Sequence, residues 1–392
     1  MVSVAIGRDA RRRARDLTAR LEKEKCRNDE LKTICRVVGP VAIAALLDEN
    51  GHDGILPSAI SGKGFYCNDY QVVRQAMPEL EWVDDADLAD FCFIWGLNPS
   101  ASNLCAVAAA IRNRSRLVLC EDGFLRSADT WANDKAAPRY RHGCSVIYDT
   151  LGFYFDATRP NAIERMLNDR SLVITERQCA EARRLIGRIV AAKLTKYNHQ
   201  PMFTPKVGRA GRRKVLVVDQ SYGDMAIAKG WGDDQTFADM LEDARRENPD
   251  ADILVKTHPD TMTGRRGGYY VDVREEGNVF RVTMPINPYS LMELVDKVYV
   301  CSTQMGFEAL MAGKEVHVYG MPFYAGWGLT VDKQTNPRRT NRRTLEEVFY
   351  IFYLMYTHWV DVNTGKPCDI EKAMDNLIAL REEYGRLQGG AR

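Results

Sequence analysis

The feature that most restricts the fold of this chain is a run of short apolar segments alternating with helix-patterned ones between residues 214 and 320. KVLVVDQ, ADILVKTHP, KVYVCST and EVHVYG read as strands, because short apolar runs bounded by polar turns suit strands buried on both faces. TFADMLEDARRENP, PYSLMELVD and MGFEALMAGK lie between them with helical spacing. Strict alternation of this kind predicts a doubly wound parallel sheet with right-handed crossovers. Ligands of such sheets bind beyond the carboxyl ends of the strands, so the residues just after each strand are the candidates for chemistry.

A second series precedes the first. FCFIWG, RLVLCEDG and CSVIYDTLGFYFD are short apolar runs, and SNLCAVAAAIRNR between them is helical in pattern, so buried parallel strands with crossover helices are expected there too. At 392 residues the chain exceeds what one core usually organises, which agrees with two α/β units. The expected layout has four parts. Residues 1–80 form a helical appendage, with an Arg-rich helix over 8–35 and a buried helix ending at Gly51; 81–205 form the first Rossmann-like unit; 206–335 form the second; and 336–392 are C-terminal helices. The stretch HQPMFTPKVGRAGRRK, rich in Pro, Gly and basic residues, reads as the linker between the units.

Composition removes several functional classes. A formal net charge of +1 leaves no bulk attraction for nucleic acid, so any anion must be held by a local constellation. The ten cysteines are scattered, without a Cys-x-x-Cys pair or zinc-like spacing; a reducing cytoplasm and no structural metal are expected. No stretch reaches the roughly 18 apolar residues of a spanning helix, and the N-terminus lacks a signal-peptide core. The Arg-rich first segment reads either as a solvated helix or as a peripheral contact with anionic lipid at the inner face of the cytoplasmic membrane.

Four strand ends carry chemistry-bearing residues. After ADILVK come Thr257, His258, Pro259 and Asp260; the proline holds the histidine backbone extended, and the imidazole suits either a plain turn or donation to a phosphate. After KVYVC come Ser302 and Thr303 before a helix, where hydroxyls either cap the free amides or bind an anion. After KVLVV come Asp219, Gln220, Ser221, Tyr222, Gly223 and Asp224, more carboxylate than a turn requires, and Asp224 is a candidate nucleophile. After RLVLC come Glu121 and Asp122, then Arg126, either an acidic turn with a structural ion pair or a general acid/base.

Together and in order, EDGFLRS (121–127), GFYFDATRP (152–160), LTKYN (194–198), VLVVDQSYGDMAI (215–227), ENPDADILVKTHPD (247–260), STQMGFEALMAGK (302–314), YGMPFYAGWGLT (319–330) and HWVDVNTG (358–365) resemble the bacterial capsule β-Kdo glycosyltransferases. The resemblance implies an α/β, GT-B-like fold of two Rossmann-like units facing a cleft. It also implies a retaining transfer of β-Kdo from CMP-Kdo to a lipid-linked or oligosaccharide acceptor, without metal or other cofactor. His258, Pro259, Ser302 and Thr303 would then form the nucleotide site, with Gln220 also substrate-binding. Asp224 would attack the anomeric carbon, and Glu121, or Asp122 in second place, would serve as acid/base. Arg126 would orient them or pair with the sugar carboxylate. Lys256 points either into the core or toward the nucleotide, Glu308 meets the cytidine or packs its helix, and Tyr324 and Trp327 either floor the cleft or form a hinge between the units.

Two segments depart from the family pattern, WGLNPS (95–100) and ADTWANDKAAPRYRHGC (128–144), and both fall on the acceptor side. The chain resembles a single module of the N-terminal type. Expected partners are the CMP-sugar, the glycan acceptor and capsule assembly or export proteins. The alternatives are a transferase using another CMP- or UDP-linked sugar, or a non-catalytic glycan-binding component of the assembly and export complex.

Overall fold

The computed structural model describes residues 43–48, 64–67, 71–96 and 101–389. The Arg-rich segment 8–35 and the expected helix end at Gly51 lie outside the described residues. In chain order the strands are β1 (Phe65–Cys67), β2 (Phe91–Trp95), β3 (Arg116–Asp122), β4 (Ser145–Asp149), β5 (Lys214–Val218), β6 (Asp252–Lys256), β7 (Val279–Val282), β8 (Lys297–Val300), β9 (Glu315–Val318), β10 (Val331–Asp332), β11 (Thr357–Asp361) and β12 (Lys366–Cys368). They form two six-stranded sheets, ordered β1-β2-β3-β4-β11-β12 and β10-β9-β8-β5-β6-β7.

The second sheet is parallel throughout, as its sequence pattern predicts. Its central strands are buried along nearly their whole length, and the helix Asp234–Glu247 covers one face through Phe237, Met240, Leu241 and Ala244. Asp233 caps that helix by accepting the Thr236 amide at 2.8 Å. The edge strand β7 is missing from the sequence series because Phe280 and Arg281 are only half-buried, which interrupts the apolar run.

The first sheet is mixed, which corrects the expectation of parallel strands for that unit. β1, β2 and β3 are parallel, but β4 runs antiparallel to β3. Between β3 and β4 the only helix is the short Pro138–Arg141, and an antiparallel partner needs no crossover helix. The C-terminal part read as helices supplies β11 and β12, also antiparallel, so the chain returns from the second sheet to finish the first. At the other end β1 lies within the stretch read as an appendage, and Ile43 and Leu47 pack into the same unit's core.

The two sheets share one apolar core. Phe124, just past β3, packs edge-on against Phe323 at 5.4 Å and against Phe352 at 4.7 Å. Phe323 stacks on Phe352 at 4.1 Å, and Phe349 on Tyr353 at 4.4 Å. A turn of π-helix, Tyr350–Tyr356, turns Ile351, Phe352, Tyr353 and Tyr356 into this cluster. Aromatic pairs of this kind add about 0.5–1.5 kcal/mol each beyond their burial. Tyr324 and Trp327 are fully buried in the same core, which favours the hinge reading over the cleft floor.

A buried charge cluster locks the return segment. Glu164 accepts from Arg338 Nε at 2.7 Å and from Arg339 Nε at 3.2 Å, while Arg339 Nη1 also donates to the carbonyl of Ala325 at 2.6 Å. Removing one member of such a cluster strands the other charges away from water. Replacing Glu164 with Ala is therefore expected to cost about 3–5 kcal/mol of stability, read as a lower denaturation midpoint in urea with an unchanged slope.

Candidate functional site

On the second sheet, the loops after β5, β6 and β8 converge. Gln220 is buried and grips Ser302 twice, its Oε1 accepting the Ser302 amide at 2.9 Å and its Nε2 donating to Ser302 Oγ at 3.3 Å. Thr303 Oγ1 accepts the Met305 amide at 3.4 Å, and the Thr303 carbonyl accepts Tyr324 Oη at 2.7 Å. That ring rests on Gly306, where any Cβ would lie 2.1 Å from the hydroxyl, so only glycine fits.

His258 is fixed in direction and tautomer. The Asp260 amide donates to Nδ1 at 3.1 Å, and Ser221 Oγ lies 2.9 Å from the same nitrogen. An amide donor on Nδ1 leaves the ring proton of the neutral imidazole on Nε2. Burial lowers the His258 pKa, against the pull of Asp260 and Asp224, so the ring is neutral near pH 7 and Nε2–H is its donor.

A cavity of about 190 Å³ opens here, lined among others by Asp219, Lys256, His258, Pro259, Thr303 and Glu308. Ser302 is not among the residues that line it. Lys256 is buried, donates to the Thr257 carbonyl at 2.7 Å, and is brought down to about 8 by burial despite Asp219. Glu308 accepts from Thr195 Oγ1, and from Gln304 Nε2 at 3.1 Å; burial pushes its carboxyl up to about 7. One oxygen of Asp219 accepts the Gln220 and Tyr269 amides at 2.9 Å each, while its Oδ2 is buried without a partner.

The first sheet presents its acids from β3. Arg126 Nε donates to Asp122 Oδ1 at 2.7 Å, and Lys196 Nζ lies 3.7 Å from Asp122 Oδ2. Two cations therefore flank Asp122. Glu121 has no such pairing; its Oε1 accepts the Asp122 amide at 3.0 Å, and burial pushes its carboxyl up to about 7 even though Lys196 opposes the shift. Both acids line a second cavity, of about 560 Å³, together with Arg126, Trp131, Arg141 and Lys196.

The two halves meet. Lys196 and Tyr197 line both cavities. Asp224 caps the helix Met225–Lys229, its Oδ1 accepting the Ala226 amide at 3.0 Å, and its charge is felt by Glu121 on one side and by His258 on the other. Gln304 Nε2 donates to the Phe124 carbonyl at 2.8 Å, tying the loop after β8 to the loop after β3. The Lys229 carbonyl accepts the Ala157 amide at 2.9 Å, which docks the Asp224 helix on the first unit. Among the described residues no group of three or more His, Cys, Asp or Glu side chains is placed to hold a metal ion.

Sequence reasoning gave no role to Lys196, Tyr197 or Gln304, and noted Asp219 only as one carboxylate of the loop after β5. Lys196 follows the helix Glu176–Ala192, whose end at Lys193 turns left-handed (φ 52°). The Ser127 amide then donates to the Lys196 carbonyl at 3.2 Å, laying Lys196 beside the β3 acids. Only this long-range pairing gives the lysine its place, and no local pattern announces it.

Facing α/β sheets around one acid-lined cleft define a GT-B-like architecture. The chain belongs to the capsule polysaccharide biosynthesis protein family, whose model matches residues 91–363. It is 35% identical over 322 residues to the capsule polysaccharide modification proteins LipA of Neisseria meningitidis serogroups A and B, matching 80% of this chain but 44% of each relative. The chain thus spans less than half the length of those two relatives. It is 35% identical over 272 residues to the lipopolysaccharide-processing protein LpsZ of Rhizobium meliloti, matching 68% of this chain and 60% of the relative. Among solved structures it is similar to the Thermosulfurimonas dismutans KpsC β-Kdo 2,4 transferase, with TM-score 0.71 and 35% identity over 80% of this chain and 97% of that one. The KpsC β-Kdo 2,7 transferase shares the fold at TM-score 0.56.

The charge balance around Glu121 can be tested directly. Replacing Lys196 with Met removes the cation that lowers the Glu121 pKa, so its midpoint, about 7 in the parent chain, is expected to move upward. Carbon-13 NMR titration of labelled glutamate carboxyls reads this shift, and an unmoved midpoint would disprove the coupling.

Proposed function

We propose that this protein is a retaining glycosyltransferase that moves β-Kdo from CMP-Kdo to a lipid-linked or oligosaccharide acceptor in capsular polysaccharide synthesis. The observation that carries the reading is that Asp224 is near enough for its charge to act on both Glu121 of the first sheet and a neutral His258 of the second, which donates through Nε2. The likeness to a β-Kdo 2,4 transferase supports the same chemistry.

In the first half-reaction a carboxylate oxygen of Asp224 bonds to the anomeric carbon of Kdo. The bond from that carbon to the CMP phosphate oxygen breaks, and the phosphate leaves with its electron pair. His258 Nε2–H and the Thr303 hydroxyl meet the phosphate, while Gln220 acts through Ser302 by fixing the backbone of that loop. In the second half-reaction the acceptor hydroxyl gives its proton to Glu121 as its oxygen bonds to the anomeric carbon, and the ester to Asp224 opens. Glu121 suits this step better than Asp122. A carboxyl near 7 can take and release a proton at working pH, whereas the oxygens of Asp122 are already engaged by Arg126 and Lys196. Inversion twice at one carbon retains configuration. No metal enters either step. The reaction is proposed for the cytoplasmic face of the membrane, where the lipid-linked acceptor and the assembly and export proteins would be met.

Two measurements test the reading. Asp224→Ala is expected to lower acceptor-dependent CMP release by roughly a thousandfold or more, the loss typical of a missing nucleophile, while leaving the fold intact. Calorimetry is expected to find CMP bound and UDP not; unchanged turnover in the variant, or a preference for UDP, would contradict the assignment.

A further inference from the structure

Asp224 sits at the start of a helix only five residues long, Met225–Lys229, and Lys229 ends it. A helix so short does not hold its own shape or direction in water, because one turn fixes more of the chain than its few hydrogen bonds repay. Its aim is therefore set by what grips it. At about 1.5 Å of rise per residue, Asp224 and Lys229 stand roughly 8 Å apart along the axis, so a grip on the lysine turns the carboxylate.

The grips come from both units. On the second unit's side Ile227 is buried in the core with Val215, Val217 and Phe237, and the Gly230 carbonyl accepts the Met321 amide at 2.7 Å. On the first unit's side two contacts fall on one residue. The Lys229 carbonyl accepts the Ala157 amide at 2.9 Å, and Lys229 Nζ lies 3.2 Å from Asp156 Oδ2.

Asp156 is mounted rigidly. Its side chain is 4% exposed, against 31% for Lys229, and its Oδ1 accepts the Thr158 amide at 2.9 Å and the Thr158 hydroxyl at 2.5 Å. Asn161 Nδ2 donates to the Phe153 carbonyl at 3.1 Å and to the Asp156 carbonyl at 3.5 Å, which fixes the turn that carries the acid. Arg338, itself held by Glu164, donates Nη2 to the Ala157 carbonyl at 2.7 Å. A buried carboxylate is costly unless it is paired and hydrogen-bonded. This one turns its second oxygen to the lysine at the far end of the Asp224 helix.

We propose that Asp156 and Lys229 are a positioning pair for the first half-reaction: the ion pair between the units aims Asp224 at the anomeric carbon without either residue touching the sugar. The proposal rests on the transferase reading above and adds to it the means by which one unit orients the nucleophile carried by the other.

The test uses the full chain with CMP-Kdo and a β-linked Kdo disaccharide as acceptor. Lys229→Met and Asp156→Asn are each expected to lower kcat by roughly tenfold to a hundredfold, the scale of a misplacement of about 1 Å, with KM for CMP-Kdo and the affinity for CMP within about twofold of the parent. Lys229→Arg, which keeps the charge, is expected to restore most of the rate. In a chain that already carries Asp224→Ala, adding Lys229→Met is expected to change the residual rate by less than about twofold, because a pair that acts through Asp224 then has nothing to aim. A second readout needs no turnover. Hydrogen exchange of the peptide over 224–230, where Asp224 Oδ1 accepts the Ala226 amide, is expected to quicken about tenfold in Lys229→Met and to stay near the parent rate in Lys229→Arg. Parent-rate turnover or unchanged exchange in Lys229→Met would overturn the proposal, as would a loss that falls on CMP affinity or that multiplies the Asp224→Ala defect. If the parent releases no CMP from CMP-Kdo, the transferase reading itself fails, and the exchange result alone decides whether this pair holds Asp224.

Discussion

Phe124 fixes the geometry of the whole cleft. It follows the β3 acids by two positions, and its ring is embedded among Phe323 and Phe352, which belong to the segments that leave the second sheet. Its carbonyl is held by Gln304, at the entry to the helix Met305–Met311. The acids of one sheet and the Ser302–Gln304 loop of the other are therefore anchored to the same few atoms. Because packed aromatic cores resist small displacements, the separation of the two facing strand ends is set by this contact more than by the linker between the units.

Electrostatics divides the labour within the cleft. Glu121 and Asp122 are neighbours on one strand, yet the first is carried up to about 7 by burial and the second is flanked by Arg126 and Lys196. Two adjacent carboxyls with different partners suit one to moving protons and the other to holding cations in place. The same logic separates His258 from Lys256: burial depresses both, but only the imidazole is thereby made neutral at pH 7, with its donor nitrogen defined by the Asp260 amide.

The sequence made some of this plain and hid the rest for physical reasons. β5, β6, β8 and β9 are legible because strands buried on both faces are runs of Val, Leu and Ile, and the carboxyl-end rule then points to the converging loops that carry Asp224, His258 and Thr303. β4 reads correctly as a strand, but nothing local gives its direction, which follows from the missing crossover helix. β11 hides behind the aromatic run of residues 349–356, whose burial on nearly every side looks helical and in part is. Gln220 looks like a ligand contact from its position, whereas its buried side chain spends both ends on Ser302. Lys196 and Gln304 owe their places to contacts with distant parts of the chain, which periodicity cannot express.

The central claim is that one sugar sits between Asp224 and a base on the facing sheet, bonded for a time to the first. Mass spectrometry of the Glu121→Gln chain incubated with CMP-Kdo and no acceptor tests it most directly, because slowing the second half-reaction should let the ester accumulate. The account predicts one Kdo residue on the peptide that contains Asp224, absent when Asp224 is replaced by Asn. A sugar attached elsewhere, or CMP release and transfer at the parent rate with Asn at that position, would contradict it.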